Sequence, residues 1–279
     1  MTGTPGTLYV VATPIGNLED VTRRALRVLR EVDLIACEDT RRTARLLEAH
    51  GISTSTTSYF EHNERWKGAR ILDRVREGSD VALVSDAGTP AISDPGFRLV
   101  REAREQGLRV VPVPGPSAAM AALSVAGLPT DRFLFVGFLP SRAGPRRAAL
   151  QELASRKETL VFYESPVRAV ACVADMREIL GERPAFLGRE ITKLHEEYRS
   201  GTLSELRSSL AERKEIRGEI VLVVGAAGAH PAPSLETAED LFARLTAEGH
   251  SRRDAVKEVA RALGLPAREV YRRVLPDRQ

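Results

Sequence analysis

The sequence predicts an α/β protein: a doubly wound, mostly parallel sheet in a first domain, a second α/β domain, and a small C-terminal helical domain. Three observations carry this. Short β-rich apolar runs alternate with stretches of helical period, the pattern of strands joined by crossover helices. The runs are apolar throughout, as strands covered on both faces require. After a stretch rich in Gly, Ala and Pro at 225–234, the pattern becomes purely helical.

Taken in order, the first strands are expected at 8–12, 33–37, 81–85 and 110–113. Helical spacing fills the gaps: Val21, Ala25, Val28 and Leu29; Ala44, Leu46 and Leu47; Ile71, Leu72 and Val75; Phe97, Val100 and Ala103. Pro112, Pro114 and Pro116 around Gly115 mark a boundary. Ser117 stands where it would cap a small-residue helix over 118–126. Further strands are expected at 133–138, 159–163, 185–188 and 219–224, with helices over 167–180 and 203–214; the pattern leaves their direction open. The tail carries Ala238, Leu241 and Leu245, then Ala255, Val256, Val259, Ala260 and Leu263, then Val270 and Val274, with Gly264-Leu265-Pro266 parting the last two helices. The domains implied are 1–118, 119–226 and 235–279.

Composition narrows the function. Hydrophobic residues make up 43% of the 279 and charged residues 28%, as in a globular protein rather than a disordered one. Forty-one Lys+Arg against 38 Asp+Glu leave a net charge of +3, so any nucleic-acid surface must come from placement of charge. Two cysteines, Cys37 and Cys172, make neither a disulfide framework nor a four-cysteine zinc site, and a cytoplasmic setting is expected. No apolar run approaches the ~20 residues of a membrane span, and no signal peptide is expected.

Several polar segments follow strands, where open α/β sheets bind ligands. The first is Thr13-Pro14-Ile15-Gly16-Asn17; it lacks the G-x-G-x-x-G fingerprint, although Glu38 lies some 22 residues beyond Gly16. The second is Cys37-Glu38-Asp39-Thr40-Arg41-Arg42, a site mouth or a plain helix start capped by Asp39 or Thr40. The densest is 85–96, which holds Asp86, Gly88, Thr89, Pro90, Ile92, Ser93 and Asp94, with Ser93 or Asp94 placed to cap the next helix. Backbone groups there could grip a small polar cofactor. Phe162-Tyr163-Glu164-Ser165-Pro166 repeats the plan in the second domain, and 189–197 gathers several ionisable groups. Position 199 is Arg, so His195-Glu196 begins no H-E-x-x-H site, and no metal is expected. No phosphate-loop motif and no G-x-S-x-G elbow are present, which sets aside ATP hydrolysis and serine-hydrolase chemistry.

Together and in order, these segments resemble the tetrapyrrole-methylase superfamily, and within it the ribosomal small-subunit RNA (cytidine-2′-O)-methyltransferase family. The matching blocks run from residue 8 to about 224: 12–18 with Asp20, 37–41, 85–96, 113–118, 137–140, 162–166, 189–193 and 218–221. The resemblance implies two α/β domains with S-adenosylmethionine held in the cleft between them. It implies methylation of the ribose 2′-oxygen of a cytidine in the decoding region of 16S rRNA, conventionally nucleotide 1402, and a homodimer. Carried over by position, the cofactor contacts would be Pro14, Ile15, Gly16, Gly88, Thr89, Pro90, Ile92, Ser117, Ala118, Phe162 and Tyr163, with Ile220 a looser match.

Such a reaction needs a group to take the hydroxyl proton, worth ~10²–10⁴-fold in rate. The candidates are Asp39, Glu38, Glu164, Glu190 and Lys193, with Asp39 or Lys193 favoured, and Arg41 and Arg42 expected to hold phosphate. The tail is basic, with Arg252, Arg253, Lys257, Arg261, Arg268, Arg272, Arg273 and Arg278. Its two helices around Gly-Leu-Pro resemble a helix-turn-helix and read as an RNA-docking element for the small ribosomal subunit. Two other readings stand beside this one: a methylase of a tetrapyrrole or another small acceptor, and a non-catalytic RNA-binding assembly factor.

Overall fold

In a computed structural model, residues 4–60, 62–228, 238–263 and 266–274 are described. The chain divides into two compact units, the first ending at Gly228, and both sheets lie in the first.

The first sheet is parallel throughout. Its strands are β1 (Thr7–Val11), β2 (Leu34–Cys37), β3 (Thr56–Ser58), β4 (Val81–Val84) and β5 (Arg109–Val113), in the order β3-β2-β4-β1-β5. Helices α1 (Arg23–Glu31), α2 (Thr40–Ala49), α3 (Glu64–Arg76) and α4 (Phe97–Glu105) connect them. Side chains alternate between two cores. Ile35, Cys37, Ala82 and Val84 join Ala25, Val28, Leu29 and Leu46 on one face. Leu34, Ala36, Val81 and Leu83 join Ile71, Leu72, Val75 and Leu99 on the other. The doubly wound expectation therefore holds, and it explains why these strands are apolar at every position. Pro112 is accommodated because β5 is an edge strand, where one row of backbone donors has no ladder to join.

Helix α5 (Ala118–Val125) leads into the second sheet, which is mixed. Its strands are β6 (Phe133–Phe138), β7 (Thr159–Glu164), β8 (Pro184–Arg189), β9 (Glu197–Thr202) and β10 (Ile220–Val224), in the order β6-β7-β10-β8-β9. Only β6 and β7 run parallel. Helices α6 (Ala143–Leu153), α7 (Ala169–Leu180) and α8 (Leu203–Ala211) cover one face, and α5 packs in the core of the other. Ile15, from the turn after β1, is buried in that second core beside Val161, Phe186 and Val221. One shared core explains why both sheets form a single unit rather than two.

Some local expectations are corrected. Ser117 occupies the cap position of α5 without a capping side-chain bond, and Gly96, not Ser93 or Asp94, precedes α4. The Gly96 N–H donates instead to Glu64 Oε1 at 3.2 Å. Phe97 points outward, and Leu99 fills the core position expected of it.

In the second unit, α9 (Ala238–Ala247), α10 (Arg252–Leu263) and α11 (Ala267–Val274) bury Ala238, Leu241, Val256, Val259 and Val270 together. No helix among the described residues is long and apolar enough to cross a membrane.

Arg183 ties the first unit's second sheet at its base. It is 2% exposed, and its guanidinium donates to the carbonyls of Leu180, Gly225 and Ala154. Arg183→Met would leave those acceptors unpaired, and a loss of ~3 kcal/mol is expected in urea unfolding of the full chain.

Candidate active site

Two chambers adjoin at the carboxyl ends of β1, β2 and β4, facing the second sheet. The first, of about 470 Å³, takes Ile15, Gly88, Thr89 and Ile92 from the first sheet's loops and Ser117, Ala118, Tyr163 and Ile220 from beyond β5. The second, of about 440 Å³, is walled by the turn after β1 (Thr13, Pro14, Gly16) with Arg42, Arg45 and Lys193. Ile15, Arg42, Asp86, Ala87 and Glu219 line both.

Backbone pairing builds this junction. Thr13 and Gly88 exchange N–H···O bonds of 2.9 and 3.0 Å, and the Thr13 hydroxyl donates to the Ser85 carbonyl at 3.1 Å. Gly88 sits at φ 79°, a conformation that a side chain would strain. Gly16 is required by space: a Cβ there would lie 2.4 Å from the Lys193 side chain. The non-glycine residues with positive φ among those described are Ala91, Ser93, Glu190 and Thr192, all in the two loops that border the chambers. Strain of this kind marks sites that the surrounding structure over-determines.

The first chamber is acidic. Glu38, Asp86, Asp94, Glu164 and Glu219 line it against one basic residue, Arg42, among the described residues. Burial, with the charges of Glu38, Asp86 and Glu219, pushes Asp94 up to about 6 against the pull of the Ser85 hydroxyl. Burial and the neighbouring Asp86 raise Glu38 as well. Glu164 is 2% exposed; its Oε1 accepts the Ser165 N–H and pairs with Arg168, and the buried Cys172 thiol hydrogen-bonds to the same carboxylate. Apolar walls and carboxylates with one basic neighbour among the described residues fit a ligand with a positive charge and a flat ring, and S-adenosylmethionine carries both a sulfonium and an adenine. No group of His, Cys, Asp and Glu among the described residues is placed to hold a metal.

The comparisons agree with this geometry. Residues 7–207 match the model for tetrapyrrole (corrin/porphyrin) methylases, and residues 232–278 that for the RsmI C-terminal HTH domain. The chain is 48% identical to a Ribosomal RNA small subunit methyltransferase I of Halalkalibacterium halodurans, over 95% of this chain and 93% of that one. It is 56% identical to the protein of that name from Pseudomonas aeruginosa, over 78% of each. This chain belongs to the ribosomal RNA small subunit methyltransferase I family of the tetrapyrrole methylases. Solved tetrapyrrole methylases share its fold: a cobalt precorrin-4 methyltransferase at TM-score 0.60 and 18% identity, covering 78% of this chain and 94% of that one, and a uroporphyrin-III-C-methyltransferase from Thermus thermophilus at 0.57 and 24%, covering 80% and 95%.

Against that family background, the expected residues separate. Ile15, Gly88, Thr89, Ile92, Ser117, Ala118, Tyr163 and Ile220 border the first chamber, while Pro14 and Gly16 border the second. Two do neither. Phe162 is fully buried in the core under α7, because neighbours on a strand face opposite ways and Tyr163 takes the cleft side. Pro90 is buried behind its loop and lines neither chamber.

Neither favoured base is poised as one. Asp39 caps α2 through the Arg41 N–H and grips the Arg41 guanidinium at 2.8 Å; those hydrogen bonds hold it down at about 2, and it lines neither chamber. Arg41 is spent on that pair, with its side chain 89% exposed. Lys193 lines the second chamber and sits 2.8 Å from Glu190 and 3.1 Å from Glu219. Burial presses its pKa down, but those two carboxylates outweigh burial and raise it, so it stays an ammonium. Arg42 pairs with Asp86 at 3.2 Å across the junction. In the second unit Arg252, Arg253, Lys257 and Arg272 are exposed; Arg278 lies outside the described residues.

Sequence reasoning gave Asp86 no role and Asp94 only that of a helix cap. Both stand in the dense 85–96 loop, which was itself the signal. The raised Asp94 has a consequence for folding. A carboxyl whose pKa is higher folded than unfolded binds more protons in the folded state, so its stability contribution falls as pH rises from about 4 through about 6. Asp94→Asn is expected to melt higher than the wild type at pH 7.5, with the difference fading by pH 4. A difference independent of pH in thermal scans would contradict this.

Proposed function

We propose that this chain transfers the methyl group of S-adenosylmethionine to the ribose 2′-oxygen of a cytidine in the decoding region of 16S ribosomal RNA, conventionally nucleotide 1402. The observation that carries it is an acidic, apolar-walled chamber beside a polar one, sharing Ile15, Arg42, Asp86, Ala87 and Glu219 with it, and with Arg45 and Lys193 in the polar chamber's wall. A cationic donor suits the first and a polyanionic acceptor the second. The relatives' name supports ribosomal RNA as that acceptor.

When bound, the donor supplies a methyl on a positively charged sulfur: the acceptor oxygen's electron pair forms the C–O bond, the C–S pair leaves with sulfur, and the hydroxyl proton remains to be taken. The chain's residues do the rest. Ile15, Ile92 and Tyr163 hold the donor's apolar body; Asp94 and Glu38 set its positive end. Gly88 and Thr89 bring backbone close enough to orient it, and orientation of two reactants is worth ~7–11 kcal/mol. Lys193, kept as an ammonium, holds charge beside the acceptor rather than removing a proton. The exposed Arg252, Arg253, Lys257 and Arg272 of the second unit contact RNA phosphates.

Transfer of labelled methyl to small ribosomal subunits, followed by nucleoside analysis, is expected to yield 2′-O-methylcytidine; label on a base or on another nucleoside would overturn the position. Reversing Arg252, Arg253 and Lys257 to Glu is expected to lower subunit affinity and flatten its salt dependence by ~0.7–0.9 in log–log slope per lost phosphate contact, with cofactor affinity unchanged by calorimetry.

A further inference from the structure

The proton must go to a group that reaches the acceptor oxygen where it meets the donor. In space, the candidates for that point are the residues that line both chambers. Glu38, Asp94 and Glu164 line the donor chamber alone, and Lys193 the polar chamber alone. Two carboxylates line both, Asp86 and Glu219. Glu219 has a side chain 73% exposed and is drawn off to Lys193. Asp86 is fixed: Oδ1 accepts the Asp39 N–H at 3.0 Å and Oδ2 meets Arg42 at 3.2 Å, with the side chain 21% exposed.

A second observation concerns the acceptor. Arg45 lines the polar chamber, is exposed, and makes no ion pair or hydrogen bond among the described residues, whereas Arg41, Arg42 and Lys193 are each matched to carboxylates. An unmatched guanidinium in a polar recess is suited to a phosphate.

Resting on the ribose-methylation reading above, we propose that the polar chamber seats the acceptor nucleotide, with Arg45 on its phosphate and Asp86 taking the hydroxyl proton at the junction. The carboxylate need not be a strong base. As the C–O bond forms, the hydroxyl becomes a protonated ether oxygen, far more acidic than the free alcohol, so its proton passes downhill to Asp86 Oδ and then to water. The Arg42 pair and the Asp39 N–H keep that carboxylate aimed.

The test uses the full chain and small ribosomal subunits in single turnover at saturating cofactor. Asp86→Asn keeps the shape and one acceptor oxygen; it is expected to slow transfer by ~10²–10⁴-fold, with cofactor and subunit affinities within threefold of wild type. Asp86→Glu is expected to recover at least about tenfold over Asn, since a carboxylate is restored. Arg45→Ala is expected to weaken subunit binding about tenfold and reduce its salt slope while leaving cofactor affinity intact. Asp86→Asn turnover within fivefold of wild type, a loss matched by lost cofactor affinity, or a Glu variant no better than Asn would each remove Asp86 from this role. Unchanged subunit binding by Arg45→Ala would remove the phosphate seat. A wild-type chain that methylates nothing on the subunit would instead refute the ribose-methylation reading; an active wild type with indifferent variants refutes this assignment alone.

Discussion

The short two-way backbone bridge between Thr13 and Gly88 is the constraint on which the rest of the molecule depends. It binds the tips of two adjacent parallel strands just past the sheet. From there Ile15 is delivered into the core of the second sheet, and Gly16 comes to rest against Lys193. Both chambers are consequences of that placement: one opens on the Gly88 side of the turn, the other on the Gly16 side. Their common wall is the β1 turn and the start of the 85–96 loop.

Charge then sorts the two spaces. A cation with an apolar body is drawn to carboxylates that burial has left short of counter-charge, and their raised proton affinity is the record of that shortage. On the other side guanidinium and ammonium groups gather, a lining that suits a polyanion. Fold alone would not distinguish these acceptors, since tetrapyrrole methylases of low identity share the same two sheets. The side chains at the strand tips carry the distinction.

Much of this was legible in the residues. Buried strands announce themselves as unbroken apolar runs, and β1, β2, β4 to β8 and β10 all fell within a residue or two of where pattern put them. What escaped were edges and surfaces. Strands β3 and β9, with sequences Thr-Thr-Ser and Glu-Tyr-Arg-Ser-Gly-Thr, are polar edge strands, and α6 buries little beyond Arg146, Leu150 and Leu153. Within the site, the 85–96 loop was visible as a unit, but which of its carboxylates faces which chamber depends on tertiary folding. Phe162 is instructive, since its side chain is buried in the core while that of Tyr163 faces the cleft. Period-2 alternation permits only one of Phe162 and Tyr163 to face the cleft, and a resemblance carried over by position ignored that rule. Asp39, expected as a base, caps α2 and lines neither chamber; a helix cap and a proton-accepting carboxylate look alike in sequence.

Ala91, Ser93, Glu190 and Thr192 hold left-handed backbone that glycine or asparagine would adopt with less effort. They are therefore the places where thermostability and activity come into conflict. Laboratory selection for heat resistance would be drawn to these loops first, relaxing them with glycine, and each such gain would blunt the edge on which donor and acceptor are brought together.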